Sequence, residues 1–353
     1  MTDAKQPGAL SREEILSQPE AWRAVLRTIM DRRGALRAAL DAGEEVLFTG
    51  CGSAYHIAMA AAAVFRAEGR AARALVASDM AIFTQQAFYD SRRRLVVLIS
   101  RSGETTETLL ALEKANARAF TLAVTTRPDS SLAQGAREAL VLASCVEEAE
   151  ASTRWVTGAM LAGAALSRLA AGDVDPRPSL ERLPDLGRQV IQETFEPIAA
   201  LARDLSLTEY VFLGGGPLYA VAQEARLKAE EMALTAAESY PALDYRHGPI
   251  ARAGKSTLAI LFGSEAGANY EAALMEEVTR TGARTLAIAE RSSARLKQAV
   301  TAAFDLRSGL PDHSRQILYL PPVQWLAHQR ALARGLDPDS PPHLTYFVQI
   351  ARD

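Results

Sequence analysis

Apolar residues fall along this chain in two rhythms. Short unbroken runs, Val46-Leu47-Phe48-Thr49 and Leu95-Val96-Val97-Leu98-Ile99, are bounded by glycine, serine or charged residues. That is the pattern of strands buried on both faces of a parallel sheet. Around them lie stretches of helical period. Pro19 opens a helix carrying Trp22, Val25, Leu26 and Ile29, after a cap-like Ser11-Arg12-Glu13-Glu14 with acids in its first turn. The pattern thus predicts a disordered start over residues 1–10 and two helices before the first strand. An alanine-rich helix is expected over Ala58–Ala67, then a strand near Leu75–Ala77 and a helix near Met80–Ala87. Further strands are predicted at Thr121–Val124 and Leu140–Ala143, and a helix over Ser152–Leu169. Strand, glycine turn and helix in repetition indicate a parallel α/β fold.

Pro176, Pro178 and Pro184 stand among charged residues and mark residues 172–188 as a linker. The expected organisation is a helical extension over 1–43, one α/β domain over 44–171, and a second over 189–353. A helix from about Leu186 to Leu205 opens the second half.

The second half repeats the first. Leu47-Phe48-Thr49-Gly50-Cys51-Gly52-Ser53-Ala54-Tyr55 lies without a gap on Val211-Phe212-Leu213-Gly214-Gly215-Gly216-Pro217-Leu218-Tyr219. With a one-residue change of register, Leu98–Gly103 falls on Leu261–Ala266. The copies differ where chemistry would sit. The first keeps Ser100-Arg101-Ser102-Gly103, whereas the second has Gly263-Ser264-Glu265-Ala266, with an acid where an anion would rest. Conversely, Lys228 and Glu231 are expected to face only Ala63 and Arg66 in the first copy. Anion binding is therefore assigned to the first half and acid–base chemistry to the second.

The Ser100–Thr105 segment joins a strand to a helix, where free N–H groups and the helix dipole favour an anion. Two serines, a threonine and a glycine together suit a phosphomonoester better than an ordinary N-cap does. Gly50-Cys51-Gly52-Ser53 is a second glycine turn at a strand end. It is not a dinucleotide fingerprint, because Tyr55 stands where the third glycine would be, and it lacks the lysine of a phosphate-binding P-loop. Cys51 reads as a small buried hydrophobe. In Glu224–Pro249, Glu224, Lys228 and Glu231 are spaced i, i+4, i+7 and share one helical stripe. Taken alone, that stripe is a solvated ladder of ion pairs. A base beside a cation, followed by His247 in an Arg246-His247-Gly248-Pro249 loop, supports the alternative of a catalytic group.

Composition narrows the classes. The 353 residues exceed what one core usually spans, and 48% are apolar. A net charge of −3 without a basic tract argues against nucleic acid. Two cysteines make neither a disulfide scaffold nor a metal-ligand pattern. No signal-peptide core and no apolar run of membrane-spanning length is present. The expectation is a soluble cytoplasmic protein using no metal or other cofactor and contacting no membrane.

The motifs GCGSAYH, ISRSGETTET, the AST-R run at Ala151–Arg154, EARLKAEE and RHGP together resemble the sugar isomerase (SIS) family, over about residues 44–348. Leu320–Ala327 and Gly335-Leu336-Asp337 also fit. Within the family the chain is similar to the isomerase half of glutamine–fructose-6-phosphate aminotransferases. It is closer in length to stand-alone amino-sugar-phosphate deaminases and isomerases and to fructosamine-6-phosphate deglycases.

The resemblance implies two tandem SIS domains, each a doubly wound, flavodoxin-like parallel sheet, in a homodimer. It implies that Ser100, Ser102 and Thr105 hold a sugar phosphate and that Gly52 and Ser53 contact the sugar. Glu231 would be the base that moves a proton between C1 and C2, beside Lys228. His247, contributed by the partner subunit, would open the sugar ring. Three positions depart from the family: Arg101 replaces a glutamine and adds charge toward the phosphate, Ala54 replaces a serine, and Tyr346 replaces a C-terminal lysine. The chain also begins Met1-Thr2, without the N-terminal cysteine of a glutaminase domain. The expected activity is isomerisation and deamination of a hexosamine 6-phosphate. The competing readings are a fructosamine-6-phosphate deglycase and a phosphosugar sensor without turnover.

Overall fold

The computed structural model describes residues 6–350. Three helices precede the first strand: α1 (Ala9–Leu16), α2 (Gln18–Asp31) and α3 (Arg33–Asp41). The sheet elements of the first half follow as β1 (Glu45–Gly50), α4 (Ser53–Ala67), β2 (Ala72–Val76), α5 (Ala77–Ile82) and α6 (Thr84–Ala87). Then come β3 (Arg94–Ile99), α7 (Thr106–Asn116), β4 (Phe120–Thr125), α8 (Ser131–Gly135), β5 (Glu138–Val141) and α9 (Arg154–Ala170). The proline-rich stretch is not an open linker. It contains the one-turn helix α10 (Arg177–Leu180), and α11 (Leu183–Ala202) starts inside it. The second half runs β6 (Glu209–Gly214), α12 (Tyr219–Ala233), β7 (Ala236–Tyr240), β8 (Thr257–Gly263) and α13 (Ala268–Arg280). It ends with β9 (Arg284–Ala289), α14 (Ala294–Ala299), β10 (Ala302–Asp305) and α15 (Leu320–Ala333).

The chain forms two compact units. The N-terminal unit holds residues 17–147, 154–184 and 345–350, and the C-terminal unit holds 6–16, 148–153 and 185–344. Each is built on a five-stranded parallel sheet, in the order β2-β1-β3-β4-β5 and β7-β6-β8-β9-β10 respectively. Both orders reduce to 2-1-3-4-5, the flavodoxin-like doubly wound arrangement. The central strands β1, β3 and β8 are buried along their whole length, as their unbroken apolar runs demand.

The duplication is visible in the pairing. Leu47 pairs with Val96 in one sheet, and its counterpart Val211 pairs with Ala259 in the other. Extending the ungapped match through α4 and α12 sets Val64 and Ala67, rather than Ala63 and Arg66, opposite Lys228 and Glu231. The first copy lacks the charged pair either way.

The start of the chain corrects another expectation. Residues 1–5 of the stretch expected to be disordered lie outside the described residues, but residues 6–10 turn directly into α1. The Gly8 N–H donates to the Asp337 carboxylate (3.0 Å), and the Leu10 N–H to Asp339 (2.9 Å). Ser11 is not a cap: it is buried in α1, and its hydroxyl donates to Asp339 (2.5 Å). Acidic side chains some 330 residues away thus satisfy the first free amides of the helix.

Candidate functional site

In an open α/β sheet of this order, ligands sit beyond the carboxyl ends of the strands where the chain direction of winding reverses. In the N-terminal unit that point lies between β1 and β3, and two loops meet the description. After β1, Gly52 adopts φ +56° at the N-cap of α4, and its carbonyl accepts from the Tyr55 N–H (2.9 Å). Gly52 is exposed, with nothing within 4 Å of where a Cβ would stand, and Ser53 is half-buried beside it. Gly50 is glycine for a different reason: a Cβ there would lie 2.7 Å from that of Ala54.

After β3 comes Ser100–Thr105. Ser100, Arg101 and Ser102 are buried, and Thr105 is half-buried. Ser100 Oγ accepts from the Gly103 N–H (3.1 Å) and lies 3.3 Å from the Thr105 hydroxyl, so these residues of the Ser-x-Ser-x-x-Thr motif share one small bonded ring. Ser102 Oγ accepts from the Glu104 N–H (3.1 Å). The Arg101 carbonyl accepts from both Thr125 and Thr126 hydroxyls, at 3.1 and 2.9 Å, which ties the loop to the end of β4. Gly103 sits at φ +72°, and a Cβ on it would fall 2.2 Å from Ser130 Oγ. The ordinary-cap alternative does not describe the loop: the N-cap of α7 is Thr105, whose side chain makes no capping bond.

The C-terminal unit shows why the same turn there is unsuited to an anion. Ser264 Oγ accepts from the Gly267 N–H (3.0 Å), as Ser100 does from Gly103. The Ser264 N–H and hydroxyl both donate to the Glu271 carboxyl, at 2.8 and 2.7 Å. A built-in acid therefore occupies the donors a phosphate would need. That acid is Glu271, from the first turn of α13, and not Glu265, which pairs with Arg315 at 3.1 Å. Burial raises the pKa of Glu271, partly offset by its bonds to Ser264. A cavity of about 480 Å³ opens beside it, lined also by Glu290 and Arg315.

α12 carries the ionisable stripe of the C-terminal unit. Glu224 and Lys228 have no exposed side-chain surface, and the Lys228 ammonium lies 3.4 Å from Glu224 and 2.5 Å from Glu231. This is not the solvated ladder the spacing alone would allow. Only Glu231 keeps contact with water, with 19% of its side chain exposed. The helix presents one accessible carboxylate backed by a buried cation, which a second buried carboxylate supports. His247 lies on an exposed turn: its backbone N–H donates to the Asp244 carbonyl (2.9 Å), and Gly248 follows at φ +122°. Arg246 pins the turn to Glu277 at 2.8 Å.

Several contacts carry no local sequence signal. Glu104 reaches Ser131 through its N–H and hydroxyl, both at 2.7 Å. Arg101 meets Glu147 and Tyr346 across long separations. Burial, with Glu107 nearby, pushes the Cys51 thiol up to about 11. Among the described residues no group of three or more His, Cys, Asp or Glu side chains could hold a metal ion. No helix among them is long and apolar enough to cross a membrane.

The SIS domain model matches residues 40–167 and 209–318. A glutamine–fructose-6-phosphate aminotransferase (isomerizing) from Methanothermobacter thermautotrophicus is 29% identical over 96% of this chain and 57% of its own. The chain thus spans less than two thirds of that relative. A glucosamine-6-phosphate deaminase structure from Thermotoga maritima is 30% identical, covers 92% of this chain and 99% of its own, and superposes with a TM-score of 0.73. A tagatose-6-phosphate ketose/aldose isomerase from Escherichia coli, 24% identical, shares the fold over 99% of this chain and 100% of its own, with a TM-score of 0.86. Two matched segments, each on its own flavodoxin-like sheet, make the conclusion plain: this chain belongs to the SIS domain family and carries two SIS domains.

Proposed function

We propose that this protein is a phosphosugar isomerase that acts on a hexosamine 6-phosphate and releases ammonia. The observation that carries the reading is the Glu231 carboxylate, partly open to water and held at 2.5 Å by a fully buried Lys228. A sensor that only binds sugar phosphate has no need to bury a lysine in order to fix an accessible base. In this reading Ser100, Ser102 and Thr105 hold the phosphate, while Gly52 and Ser53 contact the sugar. The distant phosphate anchors a flexible open chain and so fixes the reacting carbons. Glu231 removes the proton from C2 of the open aldose and returns one to C1. The resulting ketose imine is hydrolysed, giving ammonia and a ketose 6-phosphate. His247 opens the ring, and in a closed two-fold dimer each chain supplies it to the other.

The similarity to a glucosamine-6-phosphate deaminase at 30% identity favours ammonia release. The test is direct. Glucosamine 6-phosphate and galactosamine 6-phosphate are incubated with the full chain, and ammonia and ketose phosphate are measured. Both products should appear together from at least one substrate. Cleavage of a fructosamine 6-phosphate adduct, with neither amino sugar consumed, would identify a deglycase instead. Binding without any turnover would leave the sensor.

A further inference from the structure

The backbone of Arg101 belongs to the Ser100–Thr105 loop, yet its guanidinium is committed elsewhere in the N-terminal unit. The guanidinium carbon lies 3.9 Å from the centroid of the Tyr346 ring, within cation–π distance. Its Nη2 donates to the Tyr346 carbonyl (3.2 Å), and its Nη1 is 3.5 Å from the Glu147 carboxylate. Glu147 has no exposed side-chain surface, and that of Arg101 is 8% exposed. The triangle closes where the Tyr346 hydroxyl donates to the Glu147 carbonyl (3.4 Å). Beyond Tyr346 the tail continues along the start of α7. The Thr106 N–H donates to the Val348 carbonyl (3.3 Å), and the Ile350 N–H donates to the Thr106 hydroxyl (3.0 Å). Thr106 is the first residue of α7, so the tail takes up one of the free amides toward which an anion would be drawn.

We infer that Arg101 anchors the C-terminal strap 345–350 instead of binding a substrate phosphate, with Glu147 and Tyr346 as positioning residues that hold its guanidinium. The strap then governs how an anion reaches the Ser100–Thr105 loop. That second clause rests on the phosphosugar reading, and the first does not.

Hydrogen exchange and inorganic phosphate titration on the full chain test both clauses, using Arg101→Met, Tyr346→Ala, their double variant and Tyr346→Phe. Residues acting through one contact give non-additive effects. Exchange at Thr106 and Ile350 should rise by a common factor of roughly tenfold or more in both single variants, and no further in the double variant. Tyr346→Phe keeps the ring and the carbonyl and should stay near native. Phosphate affinity should also shift by one shared factor in all three strap variants. If Arg101→Met weakens phosphate binding while Thr106 and Ile350 keep native protection, Arg101 is a phosphate ligand and the inference is overturned. Additive exchange effects also overturn it. Tyr346 lies on the tail, so its variants test the strap without disturbing the core. If the exchange pattern holds but the native protein binds no inorganic phosphate, the anchor stands and the phosphate reading falls.

Discussion

Lys228→Met should be among the most damaging single changes in the C-terminal unit. The native ammonium, with no exposed surface, stands 3.4 Å from a carboxylate of Glu224 that is equally buried. Methionine fills nearly the same volume, so packing is largely kept and the charge is what disappears. Glu224 is then left in the interior without that cation. Breaking a buried pair by removing one partner costs about 3–5 kcal/mol. For a unit of this size each kcal/mol moves the melting temperature by about 2–4 °C, so the drop should be roughly 6–20 °C. Thermal unfolding followed by circular dichroism or calorimetry reads it directly. Adding Glu224→Gln removes the stranded charge and should recover at least half of the loss. Screening acts mainly on exposed pairs, so raising the salt concentration should change the native-to-variant difference little. A Lys228→Met protein that melts within about 2 °C of native would restore the solvated-ladder picture. A large loss with no recovery in the double variant would assign the effect to packing rather than charge.

Other outcomes are equally open to measurement. Glu231→Gln should bind its sugar phosphate nearly as the native chain does, yet lose about 10²–10⁴-fold in kcat; full activity would remove Glu231 from the base role. Verified heterodimers of inactive His247→Ala and Glu231→Gln chains should regain activity, since one of two shared sites would be intact, and no recovery would count against a histidine given across the interface. His328 is buried, donates from Nε2 to the Gly8 carbonyl (2.8 Å) and accepts at Nδ1 from Gln329 (3.1 Å); burial lowers its pKa. The folded state therefore resists protonating a ring that the unfolded chain protonates below about pH 6.5, so its stability is intact above that pH and falls below it; His328→Gln should flatten that acid slope in denaturant titrations. Gly103→Ala should destabilise by more than Gly52→Ala: both carry roughly 1–2 kcal/mol for a left-handed backbone, but only at Gly103 would the new methyl meet Ser130.

The sequence by itself determined the layers of this protein. Runs such as Leu95–Ile99, apolar at every position, can only be strands covered on both sides, and β3 is buried throughout. Matching Gly52 and Gly216 across the repeat located two turns of one kind, and both residues have positive φ, at 56° and 53°. The 3.6-residue period was enough to bring Lys228 beside Glu231. Local pattern carries such information because neighbours along a helix or turn are neighbours in the chain.

Burial and long-range pairing are a different matter. Nothing in the spacing of Glu224 and Lys228 distinguishes a solvated stripe from a sealed one; packing around α12 made it sealed. The acid that closes the second turn to anions is Glu271 rather than Glu265, because the first turn of α13 folds its carboxyl back onto Ser264. Residues 6–10 read as disorder because the carboxylates that hold the Gly8 and Leu10 amides, Asp337 and Asp339, arrive from the other end of the chain. The sequence offers Arg101 as a phosphate ligand but gives no sign that Glu147 and Tyr346, 46 and 245 residues along, engage its guanidinium. Partners so distant meet only when the whole chain has folded, which is why tertiary structure alone decided which charges are sealed, shared or left to a substrate.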